Sequence, residues 1–424
     1  MKAVIVSGVR TPFARSGTDL KGLSAIELGK VAVRELLARS GVPGEAVDQL
    51  IYGTVVHDPM APNMAREVGL ATLPKTVPAT TVARACISGN QAIADAANLI
   101  EVGSANVVIA GGAESLSHVP IMVSEKLSDI LVAASKAKTL GQRLGVLGRI
   151  RPRDLVPRTP QIAEPTTGET MGEATERMAK ENGISRADQD AWALRSHKLA
   201  AAATEDGRIT HEIAPCYAGR AFEQLIDKDN GIRADTTIEK LAALKPVFDR
   251  RYGSLTAGNS SPLTDGGSAV MMVSEERARA AGIEPMGRIR SYSFTAIDPA
   301  GQLLAGPAYA VPMALDRAGI TMKDVGLMEM HEAFAAQVLS NLQQLSSRQF
   351  AEKELGRSHP VGHPPEDRIN VMGGSIAIGH PFAATGARVT TTLLNEMKRR
   401  DVELGLVTVC AAGGMGFAMV LERV

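Results

Sequence analysis

The chain has 424 residues, 45% apolar and 22% charged, and its 46 basic side chains balance 46 acidic ones. That is long enough for two core-forming units and gives no chain-wide electrostatic reason to bind nucleic acid, although one local stretch breaks the balance. Three cysteines, with no close pair among them, cannot build a disulfide framework and suggest a reducing compartment, and no run of roughly 18 apolar residues reads as a spanning helix.

In chain order, MKAVIVSGVRTPFARS opens with an apolar run only a strand long, with charge close behind, so it is not a signal peptide. The absent presequence leans toward a bacterial cytoplasm rather than a mitochondrial matrix. SAIELGKVAVRELLARSG has the apolar spacing of an amphipathic helix and stops at Gly41. TVARACISGNQAIADAANLI places Cys86 before a small-residue helix, and NVVIAGGAES follows as a buried strand ending near Gly-Gly. From roughly Ser115 to Pro246 the pattern degrades into Thr, Pro and charge. It holds one clear helix, SRADQDAWALRSHKLAAAA, capped by Ser185 with Asp188 in its first turn. We read this stretch as an insertion covering one face of the core, with Trp192 as a packing anchor.

Farther on, AVMMVS reads as a strand and VPMALDRAGI as a helix. VGLMEM is a strand leading through His331-Glu332 into another helix. TGARVTTTLLNEMKRR is helical, and LGLVTVCAAGGMGFAMVLE is strand-like. Strands alternating with helices predict an α/β fold with largely parallel pairing. The helix-then-strand plan after Cys86 is echoed by GHPFAATGARVTTTLLNEM followed by LGLVTVCAAGGMG. This suggests two related halves, 1–274 and 275–424, with the insertion at about 115–246 in the first.

Four stretches carry candidate chemistry. A thiol at a helix N-terminus feels unpaired N–H groups and the positive end of the dipole. Such sites can bring the pKa from ~8.5 toward neutrality, so Cys86 suits a nucleophile; a buried structural cysteine suits the same stretch. His380, on a turn walled by glycines, suits a base that takes a thiol proton, or else a turn histidine capping a helix. Cys410 ends a strand before a flexible loop, where backbone N–H groups at Ala412 or Gly413 can point at a developing oxyanion. Its thiol is a second acid/base candidate or a core cysteine. His331 is a further candidate, or a helix cap, and Glu332 can orient a neighbour; HEAFA lacks the second histidine of His-Glu-x-x-His, so no metal site is expected.

CISGNQA, TAGNSSPLTDGGSA, HEAFAAQ, GGSIAIGHPFAATGAR and CAAGGMG, in that order and spacing, resemble the thiolase family over essentially the whole chain. KLSDILVAASKAKTLGQRL and FDRRYGSLTAGNSSPLTDG narrow the resemblance to β-subunits of fatty-acid β-oxidation (trifunctional) complexes. The resemblance implies a five-layered αβαβα core from two similar halves, with an inserted loop domain. It implies acyl transfer between CoA esters, degradative 3-ketoacyl-CoA cleavage with biosynthetic acetoacetyl-CoA formation as the alternative, and no permanently bound cofactor. Cys86 matches the acyl-accepting nucleophile, His380 its activator and Cys410 the acid/base. His331 stands where many thiolases have Asn and, with a bound water, matches an oxyanion donor. Ser261 and Leu263 fall in the segment that lines the pantetheine channel. A homodimeric core within a heterotetramer with a hydratase/dehydrogenase α-subunit is implied too.

The stretch that breaks the charge balance is Glu125 to Arg158, with eight Lys/Arg against Glu125, Asp129 and Asp154. Leu127, Ile130, Leu131, Leu140, Leu144 and Leu147 lie at roughly helical spacing within it. It reads as a solvated loop helix, a positive approach for CoA phosphates, or a docking surface. The resemblance favours partner contact and allows peripheral membrane contact through 118–158.

Overall fold

The aliphatic runs become strands buried along their whole length, as at Val107–Glu114, Thr264–Ser274 and Leu404–Ala411. A computed structural model describes residues 2–157, 163–219 and 221–424. Its strands are β1 (Ala3–Arg10), β2 (Ala14–Arg15), β3 (Gln49–Gly53), β4 (Ala79–Val82), β5 (Val107–Glu114), β6 (Cys216–Ala218), β7 (Gln224–Ile226), β8 (Thr264–Ser274), β9 (Gly287–Ala296), β10 (Leu327–Met330), β11 (Leu404–Ala411) and β12 (Met415–Glu422). The main sheet runs β10-β11-β12-β9-β1-β8-β5-β3-β4, with β2 beside β8, and β6-β7 form a separate ribbon.

The expectation of largely parallel pairing is wrong. Only β3–β4, β3–β5 and β10–β11 pair in parallel among the described strands, while β1–β8, β1–β9, β5–β8, β9–β12 and β11–β12 are antiparallel. The clearest cause lies in CAAGGMG. Gly413 and Gly414 take φ of 79° and 67°, a left-handed turn that folds the last aliphatic run into the β11–β12 hairpin.

The layers follow from which helix face is apolar. Helices Ala25–Ser40 and Met64–Thr72 pack outside one end of the sheet, where Leu28, Val33 and Leu36 meet Tyr52 and Met271. Ser24 and Glu27 form the first helix's capping box, and Gly41 ends it in the left-handed conformation. Helices Gly306–Ala318 and Ala335–Ser346 cover the other end, with Val311 and Leu342 against Leu406 and Val420. Helices Ser88–Glu101 and Thr385–Arg399 lie between, where Ile93 and Leu393 share one core with Val108 and Val409. The order is helix, sheet, helix, sheet, helix. The two ends of the sheet are joined at β1–β9 through the pairs Val4↔Arg288 and Ile5↔Gly287.

Among the described residues, 2–117, 163–219 and 221–424 form the first compact unit, and 118–157 form a second of their own. It holds helices Glu125–Lys136 and Leu140–Leu147, capped by Ser124 and Thr139, and a short turn, Pro152–Leu155, tied by Lys126 Nζ to Asp154 at 2.8 Å. The apolar positions split: Leu127 and Ile130 are buried, whereas Leu131, Leu140 and Leu144 are exposed. Arg158 lies outside the described residues. The rest of the predicted insertion, from Ala163 on, belongs to the first unit. Its helix Arg186–Glu205 contributes Ala200 and Ala203 to the central core and Trp192 to an outer one.

Candidate active site

Two helix entrances meet at the centre of the molecule. A Cβ on Gly89 would lie 2.5 Å from Ala383 O, and one on Gly386 would lie 2.5 Å from Asn90 N. Both contacts are with backbone, so only glycine lets the helices approach this closely. The turn before one helix carries Cys86, and the turn before the other carries His380.

Cys86 follows Ala85, whose φ of 46° is unusual for a residue with a Cβ. The turn is pinned by Ser88 Oγ, which accepts from Arg84 N at 2.8 Å and donates to Ala85 O at 2.7 Å. The Ala412 backbone N–H lies close enough to the Cys86 sulfur to favour its charged form. The helix starts only at Ser88, two residues beyond the sulfur. Cys86 keeps part of its surface exposed, yet desolvation of its sulfur by the packed atoms around it pushes the thiol up to about 12; the Ala412 N–H opposes this and the Glu114 carboxylate adds to it. The expected resting thiolate is therefore corrected to a resting thiol.

His380 follows Gly379, at φ 113°, and its N–H donates to Thr264 Oγ1 at 3.0 Å. A tight turn, Phe382–Ala384, follows His380 and leads into the helix that begins at Thr385. His380 Nδ1 lies 2.6 Å from Thr385 Oγ1. His331 leaves β10 with its backbone N–H on Thr408 O at 2.9 Å, and its Nδ1 lies 2.8 Å from Ser375 Oγ. The two imidazole rings are 4.0 Å apart, and neither Nε2 has a hydrogen-bond partner among the described residues. Burial drives both pKa values down, His380 to about 3 with Arg388 adding to the effect, and His331 further lowered by His380 and Arg388. Both rings are neutral bases or donors.

Cys410 is fully buried near the end of β11; burial pushes its thiol upward, and so does the charge interaction with Cys86. Of the two candidate oxyanion donors, Ala412 faces Cys86. Gly413 does not qualify, because its N–H donates to Glu164 Oε2 at 2.8 Å. Glu332 is a positioning group. Its carboxylate accepts from Trp192 Nε1 at 3.0 Å, Ser196 Oγ at 2.7 Å, Asn370 Nδ2 at 2.8 Å and Ile376 N at 3.3 Å. Trp192 thus has a polar task beyond packing.

A cavity of about 710 Å³ lies beside this centre, walled by Ser260, Ser261, Pro262, Leu263 and Ile376 and by Arg15, His197, Arg233 and Lys240. Cys86 and Cys410 are not in its walls. The connection is Leu263, whose backbone pairs with His380. Arg15, Arg233 and Lys240 were missed in the sequence because they come from distant segments and carry no local motif. Among the described residues no cluster of His, Cys, Asp and Glu could hold a metal ion, and no helix is long and apolar enough to cross a membrane.

Residues 3–276 match the family model for the thiolase N-terminal domain, and residues 283–423 that for the thiolase C-terminal domain. A 3-ketoacyl-CoA thiolase of Yersinia enterocolitica is 53% identical over 422 residues, covering 99% of this chain and 97% of that protein; the Yersinia pestis protein of the same name is 52% identical over the same coverage. Among solved structures, the Bacillus anthracis acetyl-CoA acetyltransferase superposes with a TM-score of 0.85 at 34% identity, covering 100% of this chain and 99% of that one. The human mitochondrial 3-ketoacyl-CoA thiolase in complex with CoA gives 0.82 at 32%, covering 100% and 98%.

Proposed function

The chain belongs to the thiolase family, and from that premise we propose that it cleaves 3-oxoacyl-CoA with CoA, giving acetyl-CoA and an acyl-CoA shorter by two carbons, through an acyl-enzyme on Cys86. It is an acyltransferase whose substrates are CoA esters and which uses no permanently bound cofactor.

What supports the residue roles is the pair of neutral imidazoles, each with an unpartnered Nε2, together with the charge interaction between the Cys86 and Cys410 thiols. Because Cys86 rests as a thiol, His380 Nε2 takes its proton as the sulfur attacks C3 of the substrate, while His380 Nδ1–H is held by Thr385. The C2–C3 bond breaks and its electrons form the acetyl-CoA enolate. Stabilising that charge is the hardest task. His331 Nε2–H supplies a donor for it, and such a donor typically contributes ~2.7–4 kcal/mol. Cys410 gives its proton to C2. Ala412 N–H, aimed at Cys86, serves the carbonyl oxygen of the acyl group on that sulfur. Cys410 then takes the proton of incoming CoA, whose sulfur attacks the acyl-enzyme. Cys86 leaves, regaining its proton from His380, and every group is reset.

Ser261 and Leu263 line the route for the pantetheine arm, and Arg15, Arg233 and Lys240 offer cations for the phosphates of CoA. The division into halves near residue 275, a homodimeric core and a hydratase/dehydrogenase α-subunit as partner complete the reading. The exposed Leu131, Leu140 and Leu144 among basic residues support 118–157 as the contact for that partner or for a membrane surface. The 52–53% identical relatives are bacterial, which supports a cytoplasmic location.

The test is intact-protein mass spectrometry after mixing with 3-oxoacyl-CoA, with peptide mapping of the adduct. An acyl group on Cys86 and cleavage of medium and long chains are expected. No adduct would end the reading, and turnover confined to the four-carbon substrate would move it to the biosynthetic reaction. Co-purification of a hydratase/dehydrogenase with the native chain checks the partner.

A further inference from the structure

The sequence has histidine at 331 where many thiolases carry asparagine, and the two side chains differ in one physical respect. An asparagine amide always offers N–H donors. A neutral imidazole offers a donor on one nitrogen only, and which nitrogen that is depends on the hydrogen bond made by the other. A histidine that must donate from Nε2 needs something at Nδ1 to hold the proton away from it.

Ser375 and Arg388 fill that place. Ser375 opens the short helix Ser375–Ile378, and its Oγ lies 2.8 Å from His331 Nδ1 and 2.7 Å from Arg388 Nη2. A guanidinium has donors and no acceptor, so the Arg388 contact fills an acceptor position on Oγ. The hydroxyl proton must then point elsewhere, and the acceptor within reach is His331 Nδ1. The opposite tautomer would set Nδ1–H against the hydroxyl and leave a buried O–H without an acceptor, an arrangement that folded proteins avoid. All three side chains are at most 1% exposed, so no solvent relieves the conflict.

Arg388 itself is an expensive element. Its Nε and Nη1 have no hydrogen-bond partner among the described residues, and Nη1 sits 3.6 Å from Glu329 Oε2. A buried cation so poorly satisfied is hard to explain as a source of stability. Its short hydrogen bond to Ser375 gives it a purpose, since a cationic donor on Oγ also strengthens Oγ–H as a donor. At His380 the corresponding contact is Thr385 Oγ1, and Arg388 makes no hydrogen bond there. That hydroxyl is able to accept from Nδ1–H, leaving Nε2 bare, as a base requires.

We propose that Ser375, held by Arg388, fixes the proton of His331 on Nε2, so that two imidazoles 4.0 Å apart take opposite tautomers, one a donor and the other a base. Ser375 and Arg388 are positioning residues. The proposal rests on the acyl-transfer reading for its consequence, though not for its geometry.

The experiment has a spectroscopic arm and a kinetic arm. In the spectroscopic arm the chain is labelled with 15N-histidine, and the His331 signals are assigned by their loss in His331→Asn. A protonated Nε2 and a pyridine-type Nδ1 are expected; the reverse pattern overturns the proposal. In the kinetic arm Ser375→Ala lowers kcat by roughly tenfold to a hundredfold, part of what one oxyanion donor is worth, with KM changed less than about twofold. Ser375→Thr, which keeps the hydroxyl, restores most of the rate. In the His331→Asn background the same Ser375→Ala change costs less than about twofold, because an amide needs no tautomer set. Equal losses in both backgrounds would make Ser375 merely structural and overturn the proposal. Should Ser375→Ala fail to fold, the wild-type spectrum and the threonine variant still decide it. Failure of Cys86 to acylate would remove the functional reading while the ring-nitrogen result stood.

Discussion

Helices Ser88–Glu101 and Thr385–Arg399 lie against each other through Gly89 and Gly386, and each is entered by a turn bearing one reactive side chain. Each is followed by a strand buried on both faces, β5 and β11. Their linings differ. The Cys86 helix buries alanines, isoleucines and an asparagine, with no charged side chain among its buried residues. The His380 helix buries Thr385, Arg388, Thr390, Thr391, Thr392 and Glu396. The contrast follows from the two tasks. A thiol that must stay neutral until its base acts is best served by an apolar wall. Imidazoles that must present a chosen nitrogen need hydroxyls and a cation to orient them.

The most severe way to break the comparison is Cys86→Ser. The fold survives, since the hydroxyl fits where the sulfur was, and thiolysis falls by at least ~10⁴-fold, in the range found when a covalent nucleophile is removed. Intact mass after substrate addition shows no adduct. Cys410→Ala leaves Cys86 able to acylate and removes the proton donor for C2. The expected loss is ~10²–10⁴-fold, with α-proton exchange of acetyl-CoA abolished. Exchange equal to wild type would take Cys410 out of the mechanism. Gly89→Ala tests the meeting point itself. Its Cβ would press on Ala383 O, which cannot swing aside as a side chain does, so unfolding free energy drops by ~1–3 kcal/mol, read from denaturant midpoints. Activity falls with it, because the same contact sets the spacing of Cys86 from His380.

The sequence revealed the longer helices and the strands β1, β5, β8, β10, β11 and β12, because their apolar runs are long and clean and stop signals such as Gly41 are explicit. It did not reveal pairing direction, because β1, β8 and β9 look alike whichever neighbour they take. A Gly-Gly turn inside an aliphatic run reads as flexible until both positive φ values are seen. Cys86, His331, His380 and Cys410 stood out as rare residue types beside glycines. Ser375, Thr385 and Arg388, which hold the two imidazoles, did not, because serine, threonine and arginine near a helix start are ordinary in sequence and become specific only through a hydrogen bond. The resting state of Cys86 was misjudged for a related reason. A helix start can be read from sequence, whereas the desolvation of the sulfur by atoms from distant segments cannot.

The smallest effect concerns Glu114, at the end of β5. Its carboxylate is buried and accepts from Val55 N, Val56 N and Thr54 Oγ1 on one side and from Ala383 N on the other, so it ties the Cys86 half to the turn after His380. Burial raises its pKa from the ordinary 4.5 to about 7, against the pull of those hydrogen bonds. The folded chain therefore keeps this proton over a range where the unfolded chain has lost it, and the contribution of Glu114 to stability declines as pH rises from about 4.5 toward 7. Glu329, raised to about 8, adds a second decline of the same sign, so the informative quantity is the difference between wild type and Glu114→Gln. The variant keeps the shape and most of the hydrogen bonds, and its stability falls less across that range. It also removes a negative charge that disfavours the Cys86 thiolate, so alkylation of Cys86 shifts to lower pH. A stability profile that still tracks wild type from pH 4.5 to 7 would show that Glu114 is already ionised in the folded chain, and that its four donors outweigh its burial.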